Sequence, residues 1–223
     1  MNTLKSSPRE SEATWRRRML SIRSEVEDLV LPDLRGAEVP QGEEWAEIVV
    51  RGEKRSIRYH DYPDIFNIPG LYEEIFYERL ACDSPWRIAH LLQEVLAGYG
   101  VPLSGLRILD VGAGNGMVGD ELKALGAQHI VGVDVLEEAR NATLRDRPDV
   151  YADYVVADLD KLPGKAEAQL RAERFNCLTM VAAMGVQDIQ SGTLVKGLDL
   201  LEAPGWAAFT VREDILKAGH ASG

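Results

Sequence analysis

The sequence predicts a doubly wound α/β fold: a mostly parallel sheet with helices on both faces, preceded by an N-terminal helical and hairpin extension. Three observations predict it. From Leu106 onward, short and nearly continuous apolar runs alternate with helical or loop segments: Arg107–Val111, His129–Val135, Tyr154–Ala157, Asn176–Ala183 and Trp206–Val211. Continuous apolarity means burial on both faces, as in a parallel sheet covered by helices. The first run ends in a glycine-rich bend, Gly112-Ala113-Gly114-Asn115-Gly116, followed by a helical pattern through Leu122 and Leu125. Such a bend at a strand's C-terminal edge stands where open α/β sheets bind ligands.

The segments ahead of the sheet follow in order. Residues 1–12 are polar and read as disordered. Trp15, Met19, Ile22, Val26 and Leu29 recur in steps of four and three, which predicts a helix with one buried stripe, stopped by Pro32. Residues 33–44, with Pro40 and Gly42, read as a linker. Ala46–Val50 and Arg55–Tyr59 flank Arg51-Gly52-Glu53-Lys54 and predict a hairpin. A loop from His60 to Pro69 precedes a short helix, Leu71 to Leu80, that carries Tyr72, Phe76 and Tyr77. Asp83-Ser84-Pro85 starts a longer helix with a capping side chain and a first-turn proline. Ile88, Leu91, Leu92, Val95 and Leu96 mark its apolar face, His90 falls on its polar side, and Gly98 and Gly100 end it. The expected organisation is an extension over 1–65 and a ligand-binding domain over 66–223.

Composition narrows the partners. The chain has 223 residues, 45% hydrophobic and 27% charged, enough for one α/β core and an added segment. A net charge of -11 opposes binding to phosphate backbones, so no nucleic-acid partner is expected. Arg16-Arg17-Arg18 reads as a solvated helix face. Cys82 and Cys177 form neither a disulfide framework nor a metal-ligand spacing. The N-terminus lacks an apolar signal core, and no apolar run approaches the roughly 20 residues that span a bilayer. The expectation is a soluble cytoplasmic protein with no membrane partner and no metal.

Two ligand classes compete for the glycine bend. A nicotinamide-type bend wants a third glycine where this chain has Met117, and it places a pyrophosphate at the helix N-terminus. Asp110, two residues before the bend, opposes such an anion and suits a cationic or amine-bearing ligand. Asp110-Val-Gly-Ala-Gly-Asn-Gly resembles motif I of the class I S-adenosylmethionine-dependent methyltransferases. The resemblance runs from about Leu71 to Asp214 and implies a Rossmann-like sheet with S-adenosylmethionine as cofactor. It implies that Asp134, with Val135 beside it, holds the ribose hydroxyls, chemistry suited to a carboxylate. It implies that Asp158 meets the adenine amino group with Leu159 beside the ring. It places Asp110, Gly112, Ala113, Gly114, Asn115, Gly116, Ala182, Tyr72 and Tyr77 in the same cofactor site. Structural alternatives stand beside these roles: Asp134 as a helix cap, Asp158 as a turn residue, Asp110 as an internal acid of the loop, Tyr77 as core.

Methyl transfer from a sulfonium is an in-line displacement, in which an enzyme aligns the groups and removes a proton. The segment Val181-Ala182-Ala183-Met184-Gly185-Val186-Gln187-Asp188 follows the fourth run, and Asp188 is its candidate base; His60 is the candidate from the N-terminal side. The chain departs from the family in two ways. The histidine many small-molecule O-methyltransferases carry near Gln187-Asp188 is absent, as is the Asn/Asp-Pro-Pro-aromatic signature of amino-methylating members. Only Glu213 to Gly223 follow the fifth run, so the C-terminal strands of the family are expected to be missing and that run to stand at a hydrophobic edge. Truncation, a homodimer partner, or the hairpin Ala46–Tyr59 folding back onto the edge would each account for it. The expected activity is methyl transfer to a small-molecule acceptor at O or N, with a non-catalytic cofactor-binding module as the alternative.

Overall fold

The computed structural model describes residues 22–32, 42–183 and 191–211, which form two compact units divided between Cys82 and Asp83. Residues 66–82 therefore fall with the first unit.

The first unit is built on a three-stranded antiparallel sheet in the order β1-β2-β3, with β1 Val26–Val30, β2 Trp45–Val50 and β3 Glu53–Arg58. The hairpin turn is shorter than its sequence suggests. Val50 pairs with Glu53, leaving Arg51 and Gly52, both at positive φ (53° and 76°). Two residues at positive φ match the twist of the strands they join. Ala46 and Ile48 of β2, Ile57 of β3 and Leu29 of β1 turn to one face. There they meet Ile65 of α1 (Tyr62–Asn67) and Leu71 and Ile75 of a helical stretch that passes at Glu74–Arg79 into π-helical form.

The helix expected through Val26 and Leu29 is a strand instead. A break in the β1–β2 register lies between Val26 and Asp28, where a bulge places an extra residue. Val26 and Leu29, three apart, thereby pack on the same cluster. A bulged strand thus reproduces a spacing that reads as helical. Trp15 and Met19 lie outside the described residues.

The second unit is a five-stranded, wholly parallel sheet in the order β6-β5-β4-β7-β8. Its elements are α2 Ser84–Gly98, β4 Arg107–Val111, α3 Met117–Ala124, β5 His129–Asp134, α4 Glu137–Asp146, β6 Asp153–Val156, α5 Gly164–Ala172, β7 Phe175–Met180, α6 Ser191–Asp199 and β8 Leu201–Phe209. Alternate residues of the buried strands feed two cores. Ile108, Ile130 and Cys177 pack with Ala89, Leu92 and Leu96 of α2 and Val118 and Leu122 of α3. Leu109, Val131 and Leu178 pack on the other face with Leu159 and Leu170. This double-sided burial is why the strands read as continuous apolar runs.

Two further expectations change. His90 is 9% exposed, not on a polar face: its ring lies 4.5 Å from that of Trp86, and its Nδ1 is 2.9 Å from the Trp86 carbonyl oxygen. Among the described residues the hairpin pairs with β1 in a three-stranded sheet of its own. Among the described residues β8 stands at the edge beside β7, with Phe209 39% exposed. None of the described helices is long and apolar enough to cross a membrane.

Candidate cofactor site at the C-terminal edge of the parallel sheet

β4 and β5 pair from Arg107↔His129 to Val111↔Val133, so the bend after β4 and the carboxylate ending β5 emerge side by side. Gly112, Gly114 and Gly116 take φ of 69°, 54° and 89°, a region costly for side-chain-bearing residues. Nearly every amide of the bend is used internally. The N–H groups of Gly112 and Ala113 donate to the Val133 carbonyl at 2.9 and 3.1 Å, and Gly116 N–H donates to Ala113 O at 3.0 Å. Gly114 N–H donates to Asp134 Oδ2 at 2.9 Å. The carbonyls are held from behind. Gly114 O accepts from Thr143 Oγ1 at 3.0 Å and Tyr154 Oη at 2.7 Å. Asn115 O accepts from the buried Arg147 guanidinium at 3.0 Å.

Asp134 thus locks the bend and remains partly exposed at its rim. Its Oδ1 also accepts from Leu136 N–H at 3.0 Å, which opens the approach to α4. Burial raises its pKa, and the amides of Gly114, Leu136 and Val135 oppose that rise. Each oxygen keeps a further lone pair, so the cap and ribose-binding roles are compatible. Val135, next along, is 61% exposed, an apolar surface adjoining the carboxylate.

Asp110 is placed differently. It is 1% exposed, and both oxygens are taken: Oδ2 accepts from Tyr151 Oη at 2.6 Å and Oδ1 from Thr179 Oγ1 at 2.7 Å. Burial pushes its pKa up to about 6, against the two hydroxyl donors. It is sealed within the sheet, two residues before the bend.

A family profile described as a methyltransferase domain matches residues 109–184, the stretch from β4 through the end of β7. The match covers 76 of the 223 residues. No curated protein matches the chain in sequence. Solved structures similar to it include a putative RNA methyltransferase from Pyrococcus horikoshii (16% identity, TM-score 0.44, 61% of this chain and 66% of that one). Others are the plantazolicin methyltransferase in complex with a pentazolic desmethyl analogue and S-adenosylhomocysteine (16%, 0.48, 73% and 61%), and an S-adenosylmethionine-dependent methyltransferase from Mesorhizobium loti (24%, 0.39, 52% and 51%). This chain spans less than two thirds of the length of these three proteins.

The remaining candidates lie at the ends of β6 and β7 and in the first unit. Ala157 N–H donates to the Asp134 carbonyl at 2.8 Å, which brings the end of β6 beside the end of β5. Asp158 accepts from Asp160 N–H at 2.9 Å and pairs with Lys161 at 3.3 Å, capping the short 3-10 turn Leu159–Lys161. Leu159 is 4% exposed and packs in the core under the sheet. Ala182 is exposed at the end of β7 with φ 52°, and its N–H donates to Thr210 Oγ1 at 2.7 Å. Asp188 lies outside the described residues. Tyr72, Tyr77 and His60 belong to the first unit. There Tyr72 stacks on Phe66 (centroids 5.2 Å apart) and meets Phe76 at 4.6 Å, and Tyr77 is 4% exposed. His60 meets the Tyr62 ring edge-on at 5.8 Å. No group of His, Cys, Asp and Glu among the described residues is arranged to hold a metal ion.

Sequence patterning missed Thr143, Arg147, Tyr151 and Tyr154, which hold the bend and Asp110. They lie on α4 and in the following loop and strand, 29 to 41 residues from their partners. Gly132, mid-strand in β5, was the available signal. A Cβ there would come within 3.1 Å of Ala113, Tyr151 and Tyr154.

Proposed function

We propose that this chain transfers a methyl group from S-adenosylmethionine to a small-molecule acceptor, at oxygen or nitrogen. One observation carries the choice of cofactor. The bend spends the N–H groups of Gly112, Ala113, Gly114 and Gly116 on its own framework. A pyrophosphate needs such donors. What the bend offers instead is a carboxylate, Asp134, flanked by exposed Val135, above a buried anion, Asp110. That donor set fits a phosphate-free ligand with a diol, a flat ring and positive charge, and S-adenosylmethionine combines them and supplies an activated methyl group. Asp134 would accept from the vicinal hydroxyls, Val135 would cover a face of the ring, and the glycines would let the ligand lie on the backbone. The chain's net charge of -11 favours a small acceptor over a polyanion.

A second function, cofactor binding without catalysis, draws support from Asp158, whose carboxylate is engaged by its own turn. Calorimetry with S-adenosylmethionine and with NAD tests the cofactor. Binding of the first and not the second is expected, and the reverse would replace the methyltransferase function by a nicotinamide one. Asp134→Ala should weaken S-adenosylmethionine at least about tenfold, the scale of one or two charge-assisted hydrogen bonds. Release of S-adenosylhomocysteine with a panel of hydroxyl and amine acceptors then separates catalysis from binding alone.

A further inference from the structure

Two glycines of the second unit make room for one ring. A Cβ at Gly119, inside α3, would stand 2.6 Å from Tyr151 Cε1 and 2.9 Å from its hydroxyl. A Cβ at Gly132, inside β5, would stand 3.1 Å from Tyr151 Cε2. Glycine weakens the interior of a helix and of a strand. Both elements bear that weakness where the Tyr151 ring passes between them. The ring delivers its hydroxyl to Asp110 Oδ2 at 2.6 Å, opposite Thr179 on Oδ1 at 2.7 Å.

We propose that Tyr151 and Thr179 are a positioning pair that holds Asp110 as a buried anion beneath the glycine bend, so that the bend favours a cationic ligand through the field of that charge. The proposal rests on the methyl-donor function above. At 1% exposure Asp110 acts on the bend through its charge rather than through its surface. A charge in a poorly solvated site still acts over several ångströms with little screening. The two hydroxyls donate to the charged form and so favour it over the neutral acid. Burial works the other way, and Asp134 at the end of β5 adds like charge. Tyr154 of β6 and Cys177 of β7 are the other titratable groups that feel Asp110; burial and its negative charge raise both above their ordinary values. Arg147 is the cation acting on Tyr151.

The test compares two ligands that differ in the sulfonium charge. S-adenosylmethionine and S-adenosylhomocysteine share the ribose, the ring and the amino-acid tail, so hydrogen bonds to Asp134 cancel in the ratio of their affinities, and the Asp110→Asn comparison separates the field of Asp110 from that of Asp134. Calorimetry from pH 5 to 8 reads that ratio for the wild type, Asp110→Asn and Tyr151→Phe. The wild type should lose preference for the charged ligand as pH falls through about 6. Asp110→Asn should lower the preference about five- to tenfold at pH 7.5 and abolish its pH dependence. Tyr151→Phe keeps the ring between Gly119 and Gly132, so the fold is retained. It should move the midpoint up by about one pH unit, because one bond to the anion is gone. An Asp110→Asn ratio equal to the wild type, or an unmoved midpoint in Tyr151→Phe, overturns the proposal and leaves the methyl-donor function standing. A folded wild type that binds neither ligand overturns both.

Discussion

Asp134 and Asp110 are carboxylates two strands' ends apart with opposite surroundings. Asp134 is partly exposed and bonded to backbone amides, while Asp110 is sealed between Tyr151 and Thr179. The difference has a consequence for stability. The folded pKa of Asp110, about 6, lies above its ordinary value of 3.8, so the native state holds that proton more tightly than the unfolded chain does. Its stabilising contribution is complete below about pH 4 and is lost as pH rises through 6. The full swing corresponds to about 3 kcal/mol. Denaturant melts of the wild type and Asp110→Asn at pH 4.5 and 7.5 isolate it, because other carboxylates cancel. The wild type should lose stability relative to the variant at the higher pH by about 2 kcal/mol, the share of the swing that falls between those two pH values. A difference that stays constant would remove Asp110 as a titrating group. Sequence patterning identified both acids and their order along the chain. Their division of labour depends on Tyr151 and Thr179, 41 and 69 residues from Asp110, and no local pattern reports such partners.

Elements show where periodicity serves and where it misleads. Both faces of β4, β5 and β7 are covered, so continuous apolar runs located those strands, while β8 is largely exposed at the edge and begins at Leu201 rather than Trp206. In the first sheet a bulge between Val26 and Asp28 placed Val26 and Leu29 on one face and imitated a helix. His90 was assigned to a polar face because its neighbours Ile88, Leu91 and Leu92 filled the apolar stripe; its burial comes from packing beside Trp86, which periodicity does not weigh. Glycine within helices supplies a paired test. Gly98, in the last turn of α2, has nothing within 4 Å of an added Cβ, so Gly98→Ala should stabilise by up to about 1 kcal/mol. Gly119→Ala gains the same propensity but drives a Cβ to 2.6 Å from Tyr151 Cε1, and overpacking of about 1–3 kcal/mol outweighs it. Chemical denaturation should move the two midpoints in opposite directions. A stabilising Gly119→Ala would show that the Tyr151 ring can yield, against the tight seat described for it.

Across the whole molecule, two compact units carry separate cores, a three-stranded antiparallel sheet with short helices and a five-stranded parallel sheet covered on both faces. The order β6-β5-β4-β7-β8 puts β4 at the centre and β6 and β8 at the margins among the described strands. Amide exchange should therefore be slowest in Ile108–Asp110 and faster in Trp206–Ala208 of β8, the edge. Equal protection of β8 and β4 would mean that a further strand or a second copy covers that edge. The glycine bend follows β4, and its companion acid ends the adjacent strand, so topology alone brings Gly112, Gly114 and Asp134 together. The central claim is that this junction receives S-adenosylmethionine. A crystal grown with S-adenosylhomocysteine tests it most directly: the ribose hydroxyls should lie within hydrogen-bond distance of Asp134, with the ring against Val135. A ligand seated elsewhere, with Asp134 still bonded only to Gly114 and Leu136, would contradict the account.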